Sequence, residues 1–248
     1  MLTKQDIKRY SRQLGLSEIE EQGQQNIMQS HVVVIGLGGL GTLASRYLVG
    51  AGVGKITLID GDVVDMSNLQ RQIAYNEMHL GELKAKALCN ELKKVNPHTT
   101  CIYKSLFVDS NNLPTLLSNA TCVLDCTDSV ATRQQINHAC IASSIPLFMA
   151  SASGVTWQAI NISSQVKNTG CYACLVEHIT LQEDCISQGV LGPAVGMAAC
   201  HQAAQALLFL SKRYSADIQW GRYLNCHVAQ GSMQSFSLLP SSHCEVCQ

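Results

Sequence analysis

Two pairs of cysteines share the Cys-x-x-Cys spacing: Cys171 with Cys174 in CYAC, and Cys244 with Cys247 in CEVC at the C-terminus. That spacing puts two sulfurs on one tight turn, and two such turns complete a tetrahedral zinc site of four cysteines. A shell of four thiolates leaves no open position, so its role is structural, and here it would pin the end of the chain. The competing chemistry is a redox CxxC, which belongs at a helix start in a thioredoxin-like setting; the sequence places CYAC in a turn without that setting. Upstream, Gly36, Gly38 and Gly41 spell GxGxxG within GLGGLG, with Gly39 between them. The first glycine permits a tight turn, the second lets the backbone approach a phosphate, and the third allows close packing. Asp60, at the end of the next apolar run, can accept from ribose hydroxyls. The loop by itself does not separate NAD from ATP.

The segment Ser67-Asn68-Leu69-Gln70-Arg71-Gln72 does separate them. A hydride-transfer enzyme has no need of this cluster of amides around an arginine. Lys84 opens a predicted helix, and Asp128 follows a predicted strand at the edge where open α/β sheets bind ligands. Two cations and one carboxylate suit a triphosphate with Mg²⁺: Arg71 and Lys84 neutralise oxygens and Asp128 holds the metal.

These residues require a scaffold of alternating strands and helices. His31–Ile35 reads as a buried strand, residues 40–51 as a helix, and Lys55–Asp60 as a second strand. A helix over 82–95 stops at Asn96-Pro97. Weaker signals predict a strand over 100–104 and a short helix over 111–118. Cys122–Asp125 is a fourth strand, residues 130–143 a helix, and residues 146–150 a fifth strand. The alternation implies a Rossmann-like, doubly wound α/β sheet with right-handed crossovers. Beyond Ser151 the pattern changes. Residues 155–162 and 223–238 read as antiparallel strands around the CYAC turn, a polar loop over 177–188, and a helix over 193–210. The expected organisation is one domain spanning 1–248, with a nucleotide-binding half (1–150) and a β-rich, zinc-bearing half (151–248).

Bulk composition narrows the function classes. With 46% apolar residues and 14% charged ones, the chain has ample material for a buried core. A formal net charge of −1 implies no basic face, so nucleic acid is not an expected partner. The longest apolar stretch is interrupted by His201, Gln202 and Gln205 and reads as a core helix, so no membrane span is expected. The charged N-terminus lacks the apolar centre of a signal peptide. Most of the 12 cysteines are therefore expected as reduced thiols in a cytoplasmic protein.

The motifs YSRQ (Tyr10–Gln13), GLGGLG, AGVGKITLID, SNLQRQ, LDCTD, TRQQIN (Thr132–Asn137), CYACL, GVLGPAVG (Gly189–Gly196) and CEVC jointly resemble the ThiF/MoeB/HesA family of adenylyltransferases, relatives of the ubiquitin-activating enzymes. TRQQIN and GVLGPAVG are more similar to its thiamine-pathway branch than to its molybdopterin-pathway branch. The resemblance implies adenylylation by ATP of the C-terminal Gly-Gly carboxylate of a ubiquitin-like sulfur carrier. By similarity Asp60 holds the ribose, Asn68, Arg71 and Lys84 contact phosphates, and Asp128 holds Mg²⁺. It also implies a homodimer in which Arg12 reaches the partner's nucleotide, and a reactive thiol at Cys185, although Glu183 and Asp184 oppose its ionisation. No rhodanese-like extension is expected after Cys247, and a separate sulfur donor protein is expected. Ser129 stands where the family often has Asn, and Asn225 where it often has Asp. Two alternatives use the same glycine loop: an NAD-dependent oxidoreductase and a non-catalytic carrier-binding scaffold.

Overall fold

His31–Ile35 (β1) carries four β-branched residues after the histidine, all four buried, and the rest of the sheet grows from it. The computed structural model describes residues 1–178, 189–213 and 218–248. One eight-stranded sheet has the order β3-β2-β1-β4-β5-β6-β7-β8. Lys55–Ile59 (β2), Thr100–Lys104 (β3), Cys122–Asp125 (β4) and Leu147–Ser153 (β5) join β1 in parallel register. Thr156–Ile162 (β6), Arg222–His227 (β7) and Ser232–Ser237 (β8) extend the same sheet in antiparallel register. The chain winds outward from β1 to β3, then returns to β4 on the other side of β1. That reversal opens a crevice at the carboxyl ends of β1 and β4, where doubly wound sheets bind ligands.

Helices cover both faces. Lys4–Leu14 (α1) and Glu20–Gln29 (α2) precede the sheet. Gly39–Gly50 (α3), Lys84–Val95 (α4) and Gly192–Ser211 (α8) pack on one face through Leu48, Leu88, Ala199 and Ala203. Leu113–Leu116 (α5), Val130–Ala142 (α6) and Tyr172–His178 (α7) cover the other through Leu113, Ile136 and Leu175. By length and composition α8 could cross a membrane. It is instead a core helix: its alanines at 194, 198, 199, 203 and 206 are buried, and small side chains let it lie close to the sheet. Gln202, buried within it, donates to the Asp125 and Phe148 carbonyls at 2.9 and 2.8 Å and accepts from the Cys126 thiol at 3.2 Å. Those bonds sew α8 to the ends of β4 and β5.

Several element boundaries differ from the sequence reading. The expected strand over 223–238 is a hairpin, folded at Gly231 with φ of 63°. β5 runs on to Ser153 because β6 pairs with it through Ser153↔Thr156. The helix expected over 111–118 is only Leu113–Leu116, and CYAC lies not in a turn but at the start of α7.

The glycine loop shows why a side chain is excluded where it is. Gly36 takes φ of 84°, and a Cβ on Gly41 would collide with the Gly36 carbonyl oxygen. The clash is with backbone, which has no room to yield. Gly41→Ala is therefore expected to lower stability by about 1–3 kcal/mol, read as a fall in Tm; an unchanged Tm would show that the loop has slack the structure does not contain.

Candidate functional site

The crevice at the β1–β4 switch holds a cavity of about 510 Å³. Gly36, Gly38 and Gly39 line one wall. No side chain caps the N-terminus of α3, so its first-turn N–H groups and partial positive charge face an incoming anion. Gly41 does not line the cavity; its part is the close packing that shapes the loop.

Asp60 enters from the end of β2. Its carboxylate accepts from Leu37 N at 2.6 Å and from Asp62 N at 2.8 Å, tying the glycine loop to the strand end. Burial raises its pKa, while the two backbone donors and Lys84 oppose the shift. Lys84, at the start of α4, is buried and pairs with Asp62 at 3.2 Å. Asn68 and Arg71 come from a 3-10 turn, Met66–Asn68, and the bend after it; Asp65 caps the turn by accepting from Ser67 N at 2.8 Å. Arg71 donates to the Ser67 carbonyl at 2.9 Å, which holds its guanidinium at the cavity wall. The Tyr75 hydroxyl, buried, contacts the Leu37 and Lys84 carbonyls at 3.0 and 3.2 Å, joining the loop to α4.

Asp128 lines the opposite side, exposed, just before α6. Ser129 caps that helix by accepting from Thr132 N at 3.4 Å. Behind it, the Asp125 carboxylate accepts from the Thr127 N–H and hydroxyl at 2.9 and 2.7 Å, and Arg133 Nε donates to the Thr127 carbonyl at 3.0 Å. Arg133 also reaches the Ala150 carbonyl at 3.3 Å, so the loop carrying Asp128 is clamped to β5.

The structure thus brings Gly36, Gly38, Gly39, Asp60, Asn68, Arg71, Lys84 and Asp128 to one cavity. Arg12 is exposed on α1 and does not line it. Cys185 lies outside the described residues. Sequence reasoning missed the apolar wall of Leu106, Phe107 and Val108 beyond β3, whose signal was a short apolar run with no periodicity. It gave no separate role to Gln72, the last residue of SNLQRQ, which lines the cavity and keeps its Oε1 buried and unpartnered. An apolar wall facing cations and free N–H groups has the polarity of a nucleotide, base on one side and phosphates on the other.

The four cysteines converge at a second place. Cys171 and Cys244 sulfurs are 3.7 Å apart, Cys174 and Cys247 3.6 Å, and Cys244 and Cys247 3.6 Å; all four lie within 4.8 Å of one another. Zn–S bonds of 2.3 Å in a tetrahedron give sulfur separations of about 3.8 Å, so the donor set fits zinc. The CYAC pair does stand at a helix start, contrary to the sequence reading. What favours metal over redox chemistry is the arrival of the second pair.

An open α/β fold with a glycine loop and this cavity at its switch point defines a nucleotide-binding protein. The chain belongs to the ThiF family, whose pattern matches residues 10–247, and it is an adenylyltransferase. It is 38% identical over 243 residues to the sulfur carrier protein ThiS adenylyltransferase of Escherichia coli (strain K12), covering 98% of this chain and 95% of that one. It is 33% identical over 247 residues to the molybdopterin-synthase adenylyltransferase of Salmonella typhimurium, covering 99% and 98%. Among solved structures, Escherichia coli MccB with ATP matches with a TM-score of 0.83 at 25% identity, over 97% of this chain and 74% of that one.

Asp125 makes a pH dependence testable. It is fully buried; burial raises its pKa and the nearby Arg133 cation opposes the rise. A carboxylate raised in the folded state contributes stability that is complete below the unfolded value of about 3.9 and is lost as pH rises through the folded value. In urea unfolding between pH 7 and pH 4, the wild type should therefore gain on Asp125→Asn as pH falls. A wild type that instead loses ground would mean that the nearby Arg133 charge and the Thr127 donors outweigh burial.

Proposed function

We propose that this enzyme adenylylates the C-terminal Gly-Gly carboxylate of a ubiquitin-like sulfur carrier in the cytoplasm, using ATP and releasing pyrophosphate. The observation that carries the reading is the convergence of Asn68, Arg71, Lys84 and Asp128 on the glycine-loop cavity. A terminal carboxylate has a pKa of about 3.5 and is ionised at neutral pH, so no general base is needed. One carboxylate oxygen forms a bond to the α-phosphorus, the bond to the bridging oxygen breaks, and pyrophosphate leaves with the electron pair. The barrier is the approach of two anions, lowered by cations and fixed dipoles in place before reaction. The α3 N-terminus, Arg71 and Lys84 supply them, and Lys84 exchanges its Asp62 partner for phosphate oxygens. Asp60 orients the ribose. Asp128, an exposed oxygen donor at the cavity, suits Mg²⁺, which when bound would spread charge on the phosphates.

Relatives named for both the thiamine-type and the molybdopterin-type carrier match over the full length, at 38% and at 33–34% identity respectively. With the TRQQIN and GVLGPAVG resemblance, the higher identity favours a ThiS-like carrier in thiazole formation. The fully exposed edge strand β8 supports docking of the carrier body by strand addition, with its glycine tail extended towards Asp128. A homodimer is proposed because Arg12 is exposed on α1 and does not line its own chain's cavity. Cys185 would take the sulfur-transfer step with a separate donor protein. The four cysteines hold a structural zinc.

Carrier-dependent ATP–pyrophosphate exchange tests the reading. Arg71→Ala and Lys84→Ala are each expected to lower exchange by about 10²–10³-fold while the chain stays folded. Exchange with the molybdopterin-type carrier alone would reassign the pathway, and exchange with neither would leave a binding scaffold. For the shared site, Arg12→Ala and Arg71→Ala chains, each inactive, should regain part of the exchange when mixed, since one site of each hybrid has both arginines. No recovery after verified subunit exchange would place Arg12 outside the partner's site.

A further inference from the structure

We infer that Asn137 is a positioning residue of the four-cysteine centre, its side-chain amide donating to the Cys171 sulfur when that sulfur is a metal-bound thiolate. The inference rests on the zinc reading above and adds a residue to it. Asn137 is the last residue of TRQQIN, a motif the nucleotide site does not use beyond Thr132 and Arg133. It is wholly buried on α6. Its Oδ1 accepts from Tyr172 N, the first residue of α7, at 3.1 Å. That bond holds the amide against the start of α7, beside Cys171. Its Nδ2 is buried with no hydrogen-bond partner.

A buried donor left unpaired is costly and calls for an explanation. Cys171, also buried, supplies one. Tyr172, whose N–H donates to the Asn137 side chain, directly follows Cys171 in the chain. A neutral thiol is a weak acceptor, whereas a thiolate is a strong one. Four thiolates around Zn²⁺ carry a net charge of −2 into an apolar setting that includes Ile136, Leu175 and Val246. Donors to the sulfurs spread that charge and orient the ligands. One is already in place, since Ser241 N donates to the Cys174 sulfur at 3.3 Å. Asn137 provides the matching donor to the other cysteine of the CYAC pair. Its place on α6 has a further consequence: the helix that begins beside Asp128 is also the one that braces the metal centre.

The test uses the full chain loaded with cadmium-113. In the wild type, one Asn137 side-chain amide proton should show a scalar coupling to the metal, as the Ser241 amide proton should. Coupling at Ser241 with none at Asn137 would overturn the inference. Asn137→Asp keeps the acceptor for Tyr172 N and removes the donor, so chelator competition should show zinc held about 10–100-fold more weakly. Wild-type affinity in a folded Asn137→Asp chain would also overturn it; if that variant does not fold, the wild-type coupling decides. A fully reduced wild-type chain that takes up neither zinc nor cadmium would refute the metal reading itself, which is a distinct result.

Discussion

The hydrogen bond from the Leu37 amide to the Asp60 carboxylate, 2.6 Å long, is the contact on which the site depends. It closes the glycine loop onto the end of β2 and so sets the direction in which the α3 N-terminus points. Asp60 bears a desolvation cost for this, offset by two backbone donors and the Lys84 charge. Tyr75 completes the arrangement by holding the Leu37 carbonyl and the Lys84 carbonyl with one hydroxyl. Loop, strand end and α4 are therefore tied to one another. Preorganised donors of this kind need no reorientation when charge develops on a phosphate, which is the source of their catalytic value.

The two sides of the cavity are held by different side chains. The glycine-loop side is held by the Asp60 carboxylate and the Tyr75 hydroxyl, which grip backbone groups of the loop, the end of β2 and α4. The Asp128 side is held by side chains: Asp125 and Arg133 grip Thr127, and Gln202 of α8 grips the Asp125 carbonyl. Asp125 and Arg133, a buried acid and a nearby cation, each spend their hydrogen bonds on the loop between them. The result is a braced loop presenting the exposed Asp128 carboxylate to the cavity. The cysteine cluster lies on the α6–α7 face of the sheet, away from the cavity but joined to it through α6.

Much of this was legible before folding. The HVVVI run, the GxGxxG loop and the acid ending KITLID announced the nucleotide half, because each depends on local chemistry: β-branched burial, a turn needing φ above zero, a strand-end carboxylate. Asn68, Arg71 and Lys84 were legible as a polar cluster that a hydride-transfer site does not need. Leu106–Val108 was not, because an apolar triplet looks the same on a surface and in a cavity. The hairpin at Gly231 and the helix at CYAC were misjudged because strand register and helix starts are decided by what packs against them. Val95 and Asn96-Pro97, in contrast, ended α4 where expected, since a proline stops a helix whatever its neighbours.

Sequence alone determined the residue types, the alternation of strand and helix, and the membership of four cysteines in two pairs. These are properties of short spans, readable wherever a few neighbouring residues decide the outcome. Only the tertiary structure decided that the sheet continues unbroken from β3 to β8, that Asp60 and Asp128 face one cavity from opposite sides, and that cysteines 73 residues apart meet within 3.7 Å. Such contacts close long loops, and the energy that closes them comes from the buried core as a whole, so no local pattern in the chain announces them.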